Sequence, residues 1–163
     1  MIQPTGDNEG AQPNVYRTGC VGRLTSFNET EDGRHLITLS GYIRFDIREE
    51  LPLRNGFRTV IPDWTPYRDD LTEDDTNGID RERMLHSLKS YFAANQVDAN
   101  WDAIKDTPTD QLVTALAMMC PFQPSEKQAL LEASSLMDRA DVMVALLEMS
   151  LAANDDTGHR YHN

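Results

Sequence analysis

The chain has 163 residues, of which 39% are hydrophobic and 7% aromatic, and its formal net charge is −12. Its length fits one domain with a hydrophobic core, and its apolar runs are far shorter than the ~20 residues of a membrane-spanning helix. Residues 69–163 hold eighteen acidic and seven basic residues, an excess that argues against binding to a nucleic-acid backbone. Since no basic-then-apolar leader follows Met1, a cytoplasmic protein is predicted.

The beginning of the sequence predicts strands joined by tight turns. Residues 3–14 are rich in Gly, Pro, Asn and Asp, which is typical of a loop. Residues 15–27 predict a strand, and its glycines Gly19 and Gly22 indicate a bulge or a close backbone approach. The Asp32-Gly33 pair that follows predicts a hairpin turn.

The clearest periodicity of the chain lies between residues 37 and 47, where apolar and polar residues alternate. A period of two is typical of a strand with one buried face. Residues 57–61 predict one more short strand, which Pro62 ends. We therefore expect an antiparallel β unit over residues 1–68. The residues on the apolar side of the long strand are Ile37, Leu39, Gly41, Ile43, Phe45 and Ile47.

Residues 69–79 contain a dense run of acids and predict a linker. The apolar period then changes to 3.6, which predicts a helical bundle over residues 80–153. Residues 154–163 are polar and predict a disordered tail. Strands followed by helices, rather than alternating with them, indicate an α+β fold.

Helix starts can be placed from their capping residues. The first helix is expected near Asp80, and a short one over residues 100–106. The next is expected at Thr107-Pro108, with threonine as cap and proline in the first turn. Ser125, with Gln128 three residues later, has the arrangement of a capping box, and a last helix is expected from about Asp138.

The sequence lacks the signatures of a catalytic, metal or cofactor site. It contains no nucleophile elbow, phosphate-binding loop or zinc-protease motif. Residues 73–78 resemble the start of a calcium-binding loop, but Met84 stands where the loop needs a glutamate. His159 and His162 have no third ligand nearby. Cys20 and Cys120 are interpreted as two buried thiols.

Three segments together resemble a known family. They are CVGRL at residues 20–24, GYIRF at residues 41–45, and DQLVTALAMMCPFQPSEKQALLE at residues 110–132. In combination they are similar to the N-terminal substrate-binding domain of Lon proteases, in the stand-alone form that some bacteria carry. The resemblance runs from about residue 1 to residue 152. It implies a PUA-like antiparallel β pseudo-barrel followed by a small helical bundle.

The resemblance also implies a function. The family domain binds unfolded or misfolded polypeptides and is not itself an enzyme, because the ATPase and the serine–lysine peptidase of a Lon protease are separate modules that this chain does not resemble. A connection with an ATP-dependent protease is left open. We expect polypeptide contacts at Phe57, Trp64 and Tyr67, near the junction of sheet and bundle; packing in the core is the alternative for each of them.

Two further functions remain open. PUA-like folds also bind RNA, which the eight arginines of residues 1–68 favour and the net charge opposes. Related folds occur in regulatory domains that bind small ligands, but the sequence has no pocket signature.

The start of the chain departs from the family pattern. Residues 1–4 resemble the end of an internal family strand, so we expect the opening strands of the pseudo-barrel to be missing, through a misplaced start or a fragment. Their loss would leave an unpaired sheet edge and an open apolar face. Self-association of the chain is therefore expected.

Overall fold

The computed structural model describes residues 2–6, 12–72 and 75–159, and for residues 154–159 it describes the backbone alone. The chain divides into two compact units, Met1–Asp74 and Asp75–Asn163. The first holds the strands and a 3₁₀ helix, and the second holds the α-helices, which confirms the α+β class. In the described part of the chain, no helix is both long and apolar enough to cross a membrane.

The first unit contains a three-stranded antiparallel sheet in the order β1-β2-β3. The strands are β1 Thr18–Glu29, β2 His35–Arg54 and β3 Phe57–Asp63. Gly33, at φ +77°, lies in the predicted hairpin turn between β1 and β2. Asn55 and Gly56 both have positive φ between β2 and β3, as a tight two-residue hairpin requires. A 3₁₀ helix, Thr65–Leu71, follows the sheet.

A bulge in β2 divides its alternating apolar residues between the two faces of the sheet. Val21 pairs with Ile43 and the next residue of β1, Gly22, pairs with Gly41, so Tyr42 is an extra residue. Successive residues of β1 point to opposite faces, and their partners must do the same. Leu39 is thus on the face opposite Ile43. The prediction of one buried face over residues 37–47 is wrong: Phe45 is 5% exposed, but Ile37 is 49% and Leu39 37% exposed.

Arg44 holds the 3₁₀ helix against the sheet. Its side chain is buried, and its Nη2 and Nε donate to the carboxylate of Asp70 at 2.6 and 3.0 Å. The backbone N–H of Arg44 donates to the same carboxylate at 2.9 Å. The guanidinium carbon lies 4.5 Å from the ring centre of Tyr67. Residues 69–71, predicted to be linker, are thereby part of a helix that is fixed to β2.

The Tyr67 hydroxyl links the 3₁₀ helix to Thr18 of β1 and Asp46 of β2 by hydrogen bonds. It donates to the carboxylate of Asp46 at 3.3 Å and lies 3.2 Å from the hydroxyl of Thr18, which itself donates to Asp46 at 2.7 Å. Burial raises the pKa of the Tyr67 hydroxyl above its ordinary value. The tyrosine therefore stays neutral and serves as a donor at physiological pH.

Over residues 75–159 the second unit has five helices around one apolar core. They are α1 Arg81–Ala94, α2 Trp101–Asp106, α3 Thr109–Met119, α4 Pro124–Glu132 and α5 Leu136–His159. All except α2 contribute fully buried side chains, and the largest of these fill the space between α1, α4 and α5. They are Met84, Leu88, Leu130, Met143 and Leu147.

The first two helices begin where their capping residues predict. The Asp80 carboxylate accepts the N–H of Arg83, and the Asn100 side chain accepts the N–H of Ala103. These bonds satisfy donors that have no partner within the helix.

The two middle helices begin differently from the prediction. Thr107 ends α2, with its hydroxyl donating to the carbonyl of Ala103, and α3 starts only after Pro108. At α4 the capping residue is Gln123 instead of Ser125, because its N–H donates to the carboxylate of Glu126 at 2.7 Å. Gln128 is buried, and its amide donates to Glu132.

The last helix starts slightly earlier and ends later than expected. The Ser135 hydroxyl accepts the N–H of Asp138, which places the start at Leu136. The backbone stays helical to His159, where the sequence predicts a disordered tail. The remaining predicted tail, residues 160–163, lies outside the described residues.

The core of the helical unit predicts a large effect for one leucine of α5. Leu147 is fully buried, so Leu147→Ala removes its packing and leaves a cavity; we expect the free energy of unfolding to fall by about 2–5 kcal/mol. Met149→Ala, on the same helix and 66% exposed, should change it by less than ~0.5 kcal/mol. Urea denaturation measures both. Equal effects would contradict the assignment of this core.

The buried ion pair predicts a large effect in the 3₁₀ helix. Asp70→Asn leaves the Arg44 charge buried without its counter-charge, and we expect a loss of about 3 kcal/mol in the stability of the first unit. Asp69→Asn is the matched control, since that side chain is exposed. Trp64 fluorescence against denaturant reports the change, in a Trp101→Phe background that leaves Trp64 as the single tryptophan. A D70N variant as stable as D69N would refute the role given to Arg44.

Candidate functional site

The outer half of the β1–β2 hairpin carries a row of exposed apolar side chains. Leu24 pairs with Leu39, and Phe27 with Ile37, so the four lie on one face of the sheet. The exposed fraction is 53% for Leu24, 37% for Leu39, 55% for Phe27 and 49% for Ile37. Four neighbouring large apolar side chains about half in water form a patch of the kind that marks an interaction surface. We call these four residues the hairpin apolar face.

A second bulge is needed to bring the four residues together. Leu24 and Phe27 are three apart, a spacing that would place them on opposite faces of a regular strand. Leu24 pairs with Leu39 and Ser26 with Thr38, so Thr25 is an extra residue that restores the common face. The Thr25 hydroxyl donates to the carbonyl of Thr38 at 3.3 Å, which helps to hold the bulge.

The other face of the same hairpin is mostly polar. Its polar side chains alternate with the apolar ones along both strands, and Leu36, 65% exposed and paired with Asn28, is the one large apolar residue among them. The hairpin is therefore amphipathic, although neither face of its outer half is buried. The polar residues are Arg23, Ser26, Asn28, Thr38 and Ser40.

The tip of the hairpin is acidic. Asp32 accepts hydrogen bonds from Thr30 and Arg34, and these hold its pKa at about 2. Its charge is thus satisfied within the turn. Glu29 and Glu31 are exposed, and neither has an ion pair among the described residues. Glu29 lies two residues beyond Phe27 and so shares the side of the apolar face.

The outer edge of β1 from Leu24 to Glu29 has no partner strand among residues 2–6, 12–72 and 75–159. The sheet order places β1 at one margin, and Pro4 and Val15 form a separate bridge outside the strands. An exposed strand edge presents backbone N–H and C=O groups that can pair with another extended chain. This edge adjoins the hairpin apolar face along Leu24 to Phe27.

The structure does not bring the three predicted contact residues to one surface. Phe57 is 75% exposed at the β2–β3 turn. Trp64 is 38% exposed, with its ring 5.5 Å from that of Phe45, and lies seven residues or roughly 20 Å of strand from Phe57. Tyr67 is 7% exposed and belongs to the Arg44 contact. Phe57 and Trp64 are thus accessible to a partner, whereas Tyr67 is not.

Sequence reasoning missed the hairpin apolar face because strict alternation predicts burial. Every one of its residues was assigned to a strand, but the bulges at Thr25 and Tyr42 decide which residues share a face. Gly22 and Gly41, which pair with each other beside the Tyr42 bulge, were the available signal. A Cβ at Gly41 would lie 3.5 Å from the sulfur of Cys20, which is an ordinary van der Waals distance.

The cysteines do not suggest a reactive site. Cys120 is 2% exposed, and burial raises the pKa of its thiol, which keeps it protonated and unreactive. Cys20 is only half-buried, so the prediction of two buried thiols holds for one of them. In the part of the chain that the structure describes, no three His, Cys, Asp or Glu side chains are grouped as metal ligands.

Comparison with solved structures gives the fold. The chain is similar to the structure described as "Crystal Structure of Lon N-terminal domain protein from Xanthomonas campestris", with a TM-score of 0.54 and 18% sequence identity. The similarity covers 80% of this chain and 68% of that one. No curated protein matches the chain.

Comparison with family models gives a match over residues 2–149 to the ATP-dependent protease La (LON) substrate-binding domain. This range includes β1 to β3, the hairpin apolar face and most of the helical unit. It also includes the three segments on which the resemblance was first noted. Because the match extends over most of the sequence, the chain belongs to the LON substrate-binding domain family.

Proposed function

We propose that this protein binds non-native polypeptides and performs no chemistry of its own. The observation that carries the proposal is the hairpin apolar face, an exposed apolar surface on a member of a substrate-binding family. Unfolded chains offer apolar side chains and unsatisfied backbone groups, whereas folded proteins bury most of both. A surface that combines exposed apolar groups with a free strand edge can distinguish the two.

The binding energy of such a surface comes from water released on contact. Each Å² of apolar area removed from water contributes about 25 cal/mol, so a patch of a few hundred Å² provides several kcal/mol before the cost of ordering the bound chain is subtracted. The expected affinity is therefore weak to moderate. That strength is suited to a module that samples many sequences and releases them.

Phe57 and Trp64 are proposed as additional contacts because both are exposed aromatic side chains. Aromatic rings contribute large contact areas with few rotatable bonds. Tyr67 is proposed to act indirectly, by holding Arg44 and the 3₁₀ helix in place. The division of residues 1–68 and 80–153 into a sheet and a bundle subdomain, joined by a linker, remains part of the proposal.

The RNA-binding alternative has less support in the structure than in the sequence. Four of the eight arginines of the first unit are already engaged by carboxylates, which lowers the charge available to phosphates. The pairs are Arg17 with Asp46, Arg34 with Asp32, Arg44 with Asp70, and Arg58 with Glu50.

We further propose that the sheet forms part of a PUA-like pseudo-barrel and that bound chains reach an ATP-dependent protease in the cytoplasm of a bacterium. The antiparallel sheet and the family's name support these two statements. Self-association through the β1 edge is the competing use of the same surface. Sedimentation of the purified protein, alone and with a candidate protease, separates the two uses.

Binding of a labelled polypeptide tests the proposed function. Fluorescence anisotropy of the purified chain with a reduced, alkylated protein should show saturable binding, and the same protein in its folded form should bind at least tenfold more weakly, since its apolar groups are buried. Phe57→Ala and Trp64→Ala, both at exposed positions, should weaken binding by a factor of about two to five if the aromatic rings take part.

A control and a contrary result complete the test. Met149→Ala changes an exposed apolar residue of the helical unit and should leave the affinity unchanged. Equal affinity for the folded and unfolded protein, or no binding to either, would contradict the proposed function.

A further inference from the structure

We propose that the β1 edge and the hairpin apolar face together form one site for an extended segment of a non-native polypeptide, apolar at alternate positions and basic at the end that lies by the hairpin tip. This inference rests on the proposed function and specifies its ligand. It assigns a binding mode, strand addition, and a charge preference. Both follow from the arrangement of the outer hairpin.

The strand edge determines the conformation of the bound segment. The backbone groups on the outer side of β1 from Leu24 to Glu29 have no partner strand among the described residues, and another extended chain can pair with them. In an added strand, alternate side chains point to the same face of the sheet. Those on the side of Leu24 and Phe27 would pack beside them and extend the row formed with Leu39 and Ile37.

The size of the patch favours a short segment over a second copy of this chain. Its four side chains, each 37–55% exposed, offer roughly 300–400 Å² of apolar surface. A stable dimer buries about 800 Å² on each partner, around twice this amount. A strand of five or six residues is roughly 17–20 Å long and matches the stretch from Leu24 to Glu29.

The charge at the tip determines which segments are preferred. Glu29 lies beside the apolar face and Glu31 follows in the turn, and neither has an ion pair among the described residues. Arg34, the basic residue of the turn, is already paired with Asp32. A Lys or Arg on the bound segment would complement Glu29 and Glu31, whereas an acidic residue would be repelled.

Short labelled peptides test the inference in the full chain. One nonapeptide alternates valine and threonine and ends in two lysines; the second ends in two glutamates; the third is the lysine peptide with N-methyl groups on alternate residues. We expect the lysine peptide to bind roughly tenfold more tightly than the glutamate peptide at low salt. N-methylation should abolish binding, because it removes the donors that pair with the strand edge.

Paired substitutions locate the site. Leu24→Thr with Ile37→Thr keeps strand-forming residues at exposed positions and should weaken binding of the lysine peptide roughly tenfold. Leu36→Thr, exposed on the opposite face of the same hairpin, is the matched control and should have no effect. Glu29→Gln with Glu31→Gln should reduce the preference for lysine over glutamate to about threefold or less. Glu49→Gln with Glu82→Gln controls for net charge and should not reduce it.

Three results would overturn the inference. The first is an L24T/I37T variant that binds the lysine peptide as tightly as wild type, and the second is unchanged binding of the N-methylated peptide. The third is a wild-type dimer that dissociates in L24T/I37T, because a second copy would then occupy the face. Circular dichroism and the melting temperature of each variant verify that the fold is retained.

The proposed function and this inference fail in different ways. If L24T/I37T still binds the reduced, alkylated protein as wild type does, the protein binds non-native chains through another surface, and only the inference is lost. If wild type binds neither the unfolded protein nor the peptides, the proposed function is lost as well.

Discussion

The first unit depends on the burial of one arginine. A guanidinium out of water is costly unless a carboxylate and further hydrogen bonds compensate it, and Asp70 supplies both with a bidentate pair and a third bond to the backbone of Arg44. The Tyr67 ring covers the planar face of the same group at 4.5 Å. A lysine at this position could reproduce neither the bidentate hydrogen bonds to Asp70 nor the stacking on the Tyr67 ring. This contact gives the 3₁₀ helix its place and fixes the inner end of the sheet.

The end of the sheet near Thr18 and Arg44 is fixed in this way. The β1–β2 hairpin at the other end, residues 23–40, can therefore stay exposed. Thr18, Arg44, Phe45 and Tyr67 are all less than 10% exposed, while nearly every residue of the hairpin beyond Gly22 is exposed. An exposed amphipathic hairpin with a free edge is ordinarily a liability that leads to aggregation. Charged residues at its tip and the short length of the apolar row limit that risk. The same features make the hairpin suitable for weak and reversible binding of extended chains.

The helical unit obtains its stability from ordinary packing. Its core is entirely aliphatic, aromatic and sulfur-containing apart from Ser87 and Gln128, and helices α1 and α5 provide most of its largest buried side chains. Exposed methionines at 118, 119 and 149 contribute nothing to that core. The unit thus requires no buried charge of the kind that organises the sheet.

Much of the architecture was decided by the sequence itself. Period-two alternation, the Asp32-Gly33 turn and the capping residues Asp80 and Asn100 are local signals, since each acts through neighbours a few residues away. They were sufficient for the α+β class, the antiparallel strands and the start of α1. The three segments at residues 20–24, 41–45 and 110–132 were also sufficient for the family, because a combination of short motifs over the chain is specific even where each one is weak.

Tertiary structure alone decided which residues meet. The bulges at Thr25 and Tyr42 depend on pairing between strands, and one inserted residue moves every side chain beyond it to the other face. For this reason Leu39 and Ile43 lie on opposite faces of the sheet, whereas Leu24 and Phe27 lie on the same face. The pairing of Arg44 with Asp70, 26 residues apart, has no local signal, and it required the folded chain to place a buried charge beside its partner.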